Sequence, residues 1–537
     1  MAETIPVPSA LSLGMSDFAA IRREGAIYVD KTDMIFELTR LSRSYFLSRP
    51  RRFGKSLLVS TLENFFLGRK ELFRGLKIFE MEEKTARPWT KFPVFKFDFA
   101  GGNFEAGVAG LNARLDTVLD TYETTYGIPP GQRSKFPAER LARLLIAAEA
   151  SAGRPSVVLV DEYDRPLEAA TGEEREQMRT LLKNFWGVLK GNQDRLRFVL
   201  FTGVTKYQKV SIFSELNNLV ELTWQGRYST LCGLTRDEIE RDYDAHIDEM
   251  AACIGMTRSE CMAELERHYD GYHFTWPSPG VYNPYSLLTS LNEHNFGNYW
   301  FQSGTPGSLP KRIVEEGFDM TPLMDGNVSE SVDNLSDLAP GGMSLVPLLF
   351  QSGYLTLKGP ADDFQYYPLG FPNDEVRQAF TRQLAPMVLP ILEGNSMRLM
   401  LNDLTKALQD GDFGSCLAGF KSIFASLPYD RGNAKGDPIE VNFPNAIYIV
   451  FTLLGIAIRT EVSGARGVCD AIVETVRHAY VIEFKRDCPA ADALGQVKAK
   501  GYADRFASAA KSVHLVGVSF STATRNVGEW VEELAPR

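Results

Sequence analysis

A chain of 537 residues is long enough for two or three domains, each with its own core. Its composition, 44% hydrophobic and 23% charged, is that of an ordinary globular protein, and a net charge of -10 argues against a basic coat for nonspecific nucleic-acid binding while leaving room for a local basic groove. The six cysteines form no C-x-x-C pair and none stands at zinc spacing from a histidine, so they read as reduced thiols of a cytoplasmic protein; MAETIPVPSA does not read as a secretory signal, and the longest apolar run, 446–458, is too short to span a bilayer, so no membrane partner is expected.

In chain order, the segment 44–47, SYFL, predicts a short buried strand that runs into SRPRRFGKSLLVSTLENFF, giving the order strand, basic loop, Gly-Lys-Ser, helix. Backbone N–H groups of such a loop and of the helix behind it hold phosphates. The candidate ATP-binding residues are therefore Arg49, Arg51, Arg52, Phe53, Gly54, Lys55, Ser56 and Leu57, with Lys55 reaching the β- and γ-phosphates and Ser56 ligating Mg²⁺. Arg49 occupies the place of the first glycine in G-x-x-x-x-G-K-[ST], so the loop must turn without it. A strand is predicted at 94–99 and another at 156–160, the latter a continuous apolar run ending in Asp161-Glu162-Tyr163-Asp164. This is the form of a Walker B segment, in which Asp161 binds Mg²⁺ and Glu162 activates the attacking water. The strand 197–201 ends at Thr202-Gly203-Val204-Thr205, where Thr202 or Thr205 would serve as a polar sensor. A strand inserted between the two Walker segments predicts an additional-strand parallel sheet.

Residues 235–300 read as helical with aromatic patches, a small lid beside the nucleotide pocket, with Thr235 as an N-cap. His273 in YDGYHF has no Cys or Ser nucleophile motif near it and reads as structural. The acidic stretch 324–342 predicts a linker, and 345–357 predicts apolar strands with a hairpin to 364–367. A loop at 427–438 precedes an apolar helix at 443–458.

Residues 468–485, VCDAIVETVRHAYVIEFK, predict an antiparallel hairpin, because β-branched and aromatic runs flank a plausible turn at Arg477-His478. Glu483 and Lys485, two apart, project from one face, and Asp470 is expected roughly opposite Lys485. Two carboxylates and an ammonium then converge. Hard oxygen ligands such as Asp470 and Glu483 hold Mg²⁺, which polarises a phosphoryl oxygen, while Lys485 orients water or stabilises charge. Glu461 or Glu440 would supply a further carboxylate. The helix starting near 493 carries Gln496, Lys498, Lys500 and Tyr502, and Gln496 is placed to position Lys485 or a nucleotide. The competing reading is a solvated Glu–Lys pair on an edge strand.

The Asp470, Glu483-Phe484-Lys485 pattern resembles the motif of the PD-(D/E)XK nuclease superfamily; the family's G-R-x-D element is here Gly467-Val468-Cys469-Asp470, with the nearest arginine at Arg466. YVDKT before RPRRFGKS closely resembles the AAA-ATPase-like family, as do FTGVTK, SELNN, YDGYHF, YNPY, GYL and PNDEV further along. The resemblance runs from about residue 5 to 510, and it implies an α/β chain. A P-loop NTPase sheet with an additional strand would occupy 1–234, a helical lid and connecting region 235–375, and a PD-(D/E)XK nuclease-like domain 376–537. It further implies an ATP-hydrolysing, Mg²⁺-dependent nuclease in which nucleotide state gates cleavage. Its partner would be nucleic acid, DNA in preference to RNA, in defence against foreign DNA or mobile elements. A homo-oligomer is compatible with the sequence. The alternative is a nucleotide-dependent switch or scaffold whose nuclease site is degenerate.

Overall fold

The computed structural model describes residues 10–41, 44–206, 219–302, 328–336, 345–388, 395–425, 457–464, 467–501, 511–521 and 526–535, with a few single positions between them. The chain divides into two compact units, Met1–Trp300 with Ser329–Glu375, and Phe301–Val328 with Val376–Arg537.

The first unit is built on a five-stranded parallel sheet of β1 (Ser44–Ser48), β2 (Val94–Asp98), β3 (Ser156–Asp161), β4 (Leu196–Gly203) and β5 (Val220–Glu221), in the spatial order β2-β3-β4-β1-β5. β4 separates the two strands that carry the candidate nucleotide residues, which is the additional-strand arrangement expected from the sequence. Every residue of β3 is buried, as a strand covered on both faces requires. Alternation divides the sheet's side chains between two layers. Phe46, Val158, Val160 and Phe201 pack with Trp186, Leu115 and Leu144 from the helices Gly107–Thr125, Pro137–Ala152 and Gly172–Gly191. On the other side Phe198 meets Tyr45 at 5.5 Å and Phe66 at 5.1 Å, the latter from the helix Lys55–Phe66.

The helices Arg236–Asp242, Asp244–Ile254, Arg258–Tyr269 and Pro284–Glu293 form a second core of this unit around Ile247, Leu265 and Leu287. Thr235 caps the first of them in a reciprocal box with Glu238, donor and acceptor at 2.8 and 3.3 Å. The segment expected to be strand at 345–357 is instead the helix Leu345–Ser352 followed by β7 (Thr356–Leu357), which pairs antiparallel with β8 (Tyr366–Gly370). Leu345, Pro347, Leu349, Phe350, Gln351 and Ser352 are all buried, so the segment is covered on most of its surface, and a short continuous apolar run of this kind does not distinguish strand from helix. Within 324–342, β6 (Val328–Ser331) joins the sheet of β7 and β8.

The second unit carries the sheet β13-β12-β11-β10-β9, formed by Asn526–Leu534 (β13), Ser512–Ser521 (β12), His478–Arg486 (β11), Gly467–Glu474 (β10) and Ala457–Gly464 (β9). Only β11 and β12 are parallel, and the helix Ala490–Lys500 connects them. Ile472, Val481, Leu494, Val497 and Leu515 make the core between helix and sheet. The predicted loop at 427–438 and most of the predicted helix at 443–458 lie outside the described residues, while its last residues belong to β9. No helix among the described residues is long and apolar enough to cross a membrane.

Candidate functional sites

β1 delivers the chain into the basic loop, which turns through two residues of positive φ, Arg52 at 69° and Gly54 at 92°. The left-handed region disfavours a side chain, so Arg52 stores strain where a glycine would not. Long-range contacts hold the loop against it. Phe53 is buried edge-on to Tyr272 at 4.7 Å and Phe274 at 5.5 Å, and its carbonyl accepts from the Gly233 amide at 3.1 Å. The Arg52 guanidinium lies 4.8 Å from the Tyr285 ring, and Arg51 pairs with Glu168 at 2.6 Å. Burial pushes the Glu168 carboxyl up to about 7, with Asp164 adding to the shift and Arg51 opposing it.

Arg49, 1% exposed, donates to the carbonyls of Ser48, Thr223 and Tyr228 at 2.9, 3.4 and 3.2 Å and stacks 4.0 Å over Phe274. Burial pulls its guanidinium down to about 10. Its side chain is thus committed to the protein's own carbonyls, and Arg49 enters the site as a strut of the loop. Lys55 is buried and its Nζ donates to the carbonyls of Arg49 at 2.8 Å and Pro50 at 2.9 Å. Desolvation lowers its pKa, and the facing carboxylates of Asp161, Glu162 and Asp164 push it back up. No side chain among the described residues caps the helix Lys55–Phe66, so the first-turn amides, those of Ser56 and Leu57 included, are open to an anion.

Asp161 and Thr202 sit at the ends of β3 and β4, and the threonine hydroxyl donates to Asp161 Oδ1 at 2.5 Å. Glu162, next in sequence, also has a positive φ, 53°, and burial raises its carboxyl pKa against the opposing charge of Lys55. Asp164 was not singled out by the sequence. Its Oδ2 accepts from the amides of Val204 at 3.0 Å and Thr205 at 2.6 Å and from the Thr205 hydroxyl at 2.8 Å. A Cβ on Gly203 would stand 2.7 Å from Asp164 Oδ1, which is why the strand ends in glycine there. The two candidate sensors therefore divide: Thr202 holds Asp161 and Thr205 holds Asp164. Lys55, open helix amides and hard oxygen donors at one sheet edge suit a nucleoside polyphosphate with a divalent cation.

In the second unit the β10–β11 hairpin forms as expected, but its turn closes earlier. The Thr475 amide donates to the His478 carbonyl at 2.8 Å and the His478 amide to Thr475 Oγ1 at 2.9 Å, which puts His478 already in β11. The paired register ends at Ala471 with Ile482, one residue short of Asp470, and continued by one step it would face Asp470 with Glu483 in place of Lys485. This corrects the expected Asp470–Lys485 pairing. Only the backbone of Asp470 and Glu461 is described; Glu440, Arg466 and Tyr502 lie outside the described residues.

Glu483 is 1% exposed, and its Oε1 accepts from Lys485 Nζ at 3.2 Å and from Gln496 Nε2. Gln496 thus bears on Glu483 and not on Lys485. The reason lies in β12, where Gly517 is the register partner of Glu483. A Cβ at Gly517 would collide with the Ala490 carbonyl and stand 2.5 Å from the Leu494 amide nitrogen, so the helix Ala490–Lys500 presses onto the sheet at that point and presents Gln496 to Glu483. Among the described residues no group of three or more His, Cys, Asp or Glu side chains gathers as a metal site. The donor that is described, the buried Glu483 carboxylate, is of the hard oxygen type that suits a divalent cation. Lys498 pairs with Glu533 at 2.5 Å.

Two family models match the chain: one described as a predicted AAA-ATPase over residues 12–213, the other as the PD-(D/E)XK nuclease superfamily over residues 439–530. The chain is also similar to an "uncharacterized protein in vnfD 5′ region" of Azotobacter chroococcum mcd 1, with 35% identity over 534 residues, 97% of this chain and 98% of the other.

Proposed function

The chain belongs to the AAA-ATPase-like family with a C-terminal PD-(D/E)XK nuclease superfamily domain, and from that premise we propose that it hydrolyses ATP in its first unit and cleaves phosphodiester bonds of nucleic acid in its second, with nucleotide state setting nuclease output. The observation that carries the nuclease half is the buried Glu483 carboxylate held between Lys485 and Gln496.

In the first unit, Lys55 gives up its contacts with the Arg49 and Pro50 carbonyls and places its charge on the β- and γ-phosphates. Glu162 takes the proton of the attacking water. Thr202 fixes the rotamer of Asp161. In the second unit, Lys485 orients the attacking water and stabilises charge on the phosphoryl group, while Gln496 keeps Glu483 from turning. Mg²⁺, held by Ser56 and Asp161 in the one site and by Asp470 and Glu483 in the other, would supply polarisation of phosphoryl oxygens. The substrate is nucleic acid, DNA in preference to RNA, and the cellular role is defence against foreign DNA or mobile elements.

Thermal denaturation with added ligands tests both halves. ATP with Mg²⁺ at 100 times Kd stabilises by about 2.7 kcal/mol and loses this effect in Lys55→Ala. Mn²⁺ alone stabilises the chain and ceases to do so in Glu483→Ala. A response to ATP with none to Mn²⁺ would support a nucleotide-dependent switch with a degenerate nuclease site in place of this reading.

A further inference from the structure

The chain passes between its two units at three places, after Trp300, after Val328 and after Glu375. Two of these residues are bonded to each other: the Trp300 amide donates to Glu375 Oε1 at 2.8 Å, and Ser286 Oγ donates to the same oxygen at 3.0 Å. Trp300 also reaches the phosphate loop, its indole Nε1 donating to the Arg51 carbonyl at 3.2 Å. The preceding carbonyls, those of Arg49 and Pro50, are the ones that hold Lys55 Nζ. Three successive carbonyls of the loop are therefore occupied, two by the lysine that meets the nucleotide and one by the residue at the crossing point.

Packing closes the same link. A Cβ on Gly353 would stand 2.6 Å from Pro50 Cβ and 3.5 Å from Trp300 Cζ2, so the glycine lets the loop proline and the indole meet, and Tyr354 lies edge-on to Trp300 at 5.4 Å. A second route runs from Phe53 to Tyr272, and then through Gly271, where a Cβ would collide with the Pro372 carbonyl, to the segment that ends in Glu375. The motifs RPRRFGKS, YDGYHF, GYL and PNDEV, far apart in sequence, thus meet around one object, the back of the phosphate loop. Glu375 itself is an expensive choice for a strut. It is fully buried, and no hydrogen-bond partner among the described residues reaches its Oε2.

Resting on the function proposed above, we infer that Trp300 and Glu375 are positioning residues that couple the nucleotide site to the second unit: a polyphosphate that draws Lys55 off the Arg49 and Pro50 carbonyls re-aims the adjoining Arg51 carbonyl, and the Trp300–Glu375 pair passes that change to both crossing points. A coupling residue of this kind changes how strongly one site responds to the other, not either chemistry alone.

The test is hydrogen–deuterium exchange on the full chain with and without Mg²⁺ and a non-hydrolysable ATP analogue, beside nucleic-acid cleavage under the same conditions. The unmodified protein alters exchange at 49–57, at 299–302 and at 374–388. In Trp300→Phe the response at 49–57 persists, the other two are lost, and the ratio of cleavage with and without nucleotide falls to about one. Glu375→Leu reproduces the loss and Glu375→Gln, which keeps an acceptor for the Trp300 amide, restores it, so the pair decides the matter if Trp300→Phe does not fold. Unchanged responses at 299–302 and 374–388 in both Trp300→Phe and Glu375→Leu, or no response there in the unmodified protein while 49–57 responds, overturn the coupling alone. No response at 49–57 in the unmodified protein overturns the nucleotide reading and the coupling with it.

Discussion

Thr202 donates its hydroxyl to Asp161 at 2.5 Å, tying the end of one central strand to the end of its neighbour at the edge where the phosphate loop sits. Valine has nearly the same shape and no donor, so Thr202→Val leaves the Asp161 carboxylate buried and freer to turn. We expect ATP hydrolysis to fall about 10- to 100-fold while ATP affinity changes by less than about threefold. Steady-state hydrolysis beside equilibrium binding separates the two, and an unchanged turnover would remove Thr202 from the site.

Gln496→Leu keeps the volume of the side chain and removes the amide that holds Glu483. Cleavage should drop about tenfold with little change in thermal stability, since the ring of apolar contacts around the helix Ala490–Lys500 is retained. Lys485→Ala should drop it further. Equal activity in Gln496→Leu and the unmodified protein would make the glutamine a structural ornament.

Gly517→Val places a branched side chain where backbone of the helix Ala490–Lys500 already lies. Backbone cannot yield as a flexible side chain can, so the helix must lift, at a cost of about 1–3 kcal/mol, carrying Gln496 away from Glu483. Denaturant unfolding should show the loss, and cleavage should fail while ATP binding is unchanged. Cleavage surviving at full rate would contradict the placement of the helix.

Glu375 should make stability depend on pH. Burial pushes its carboxyl up to about 7, with the hydrogen bonds from Trp300 and Ser286 opposing the shift. With the folded pKa above the unfolded one, the full contribution is present below about pH 4.5 and is lost as pH rises through about 7. Glu375→Gln does not titrate. Its stability relative to the unmodified protein should therefore rise between about pH 4.5 and 7, by up to about 3 kcal/mol. A flat difference across that window would mean that the carboxyl is ionised in its buried site.

Much of this architecture is legible in the sequence because its signals are local. SYFL before RPRRFGKS, and SVVLV before DEYD, are short apolar runs that end in chemistry, and they form β1 and β3 with the loop and carboxylates at their ends. The hairpin of the second unit likewise follows from two β-branched runs. What is not legible depends on partners far away or on turn geometry. The hydrogen bonds between Thr475 and His478 set the register, and a small change there shifts the position that would face Asp470, if the register continued, from Lys485 to Glu483. Arg49 reads as a phosphate ligand until Thr223 and Tyr228 arrive to take its guanidinium. Gly517 looks like any strand glycine until the helix packs on it, and Trp300 carries no motif that marks it as a neighbour of the loop.

The most direct test of the account is cleavage of plasmid DNA and of a labelled RNA by the purified full chain with Mg²⁺ or Mn²⁺, with and without ATP, beside Glu483→Ala and Lys55→Ala. Metal-dependent cleavage is expected, DNA preferred, that disappears in Glu483→Ala and loses its response to ATP in Lys55→Ala. Cleavage that persists in Glu483→Ala, or that responds to ATP equally in Lys55→Ala, would contradict it.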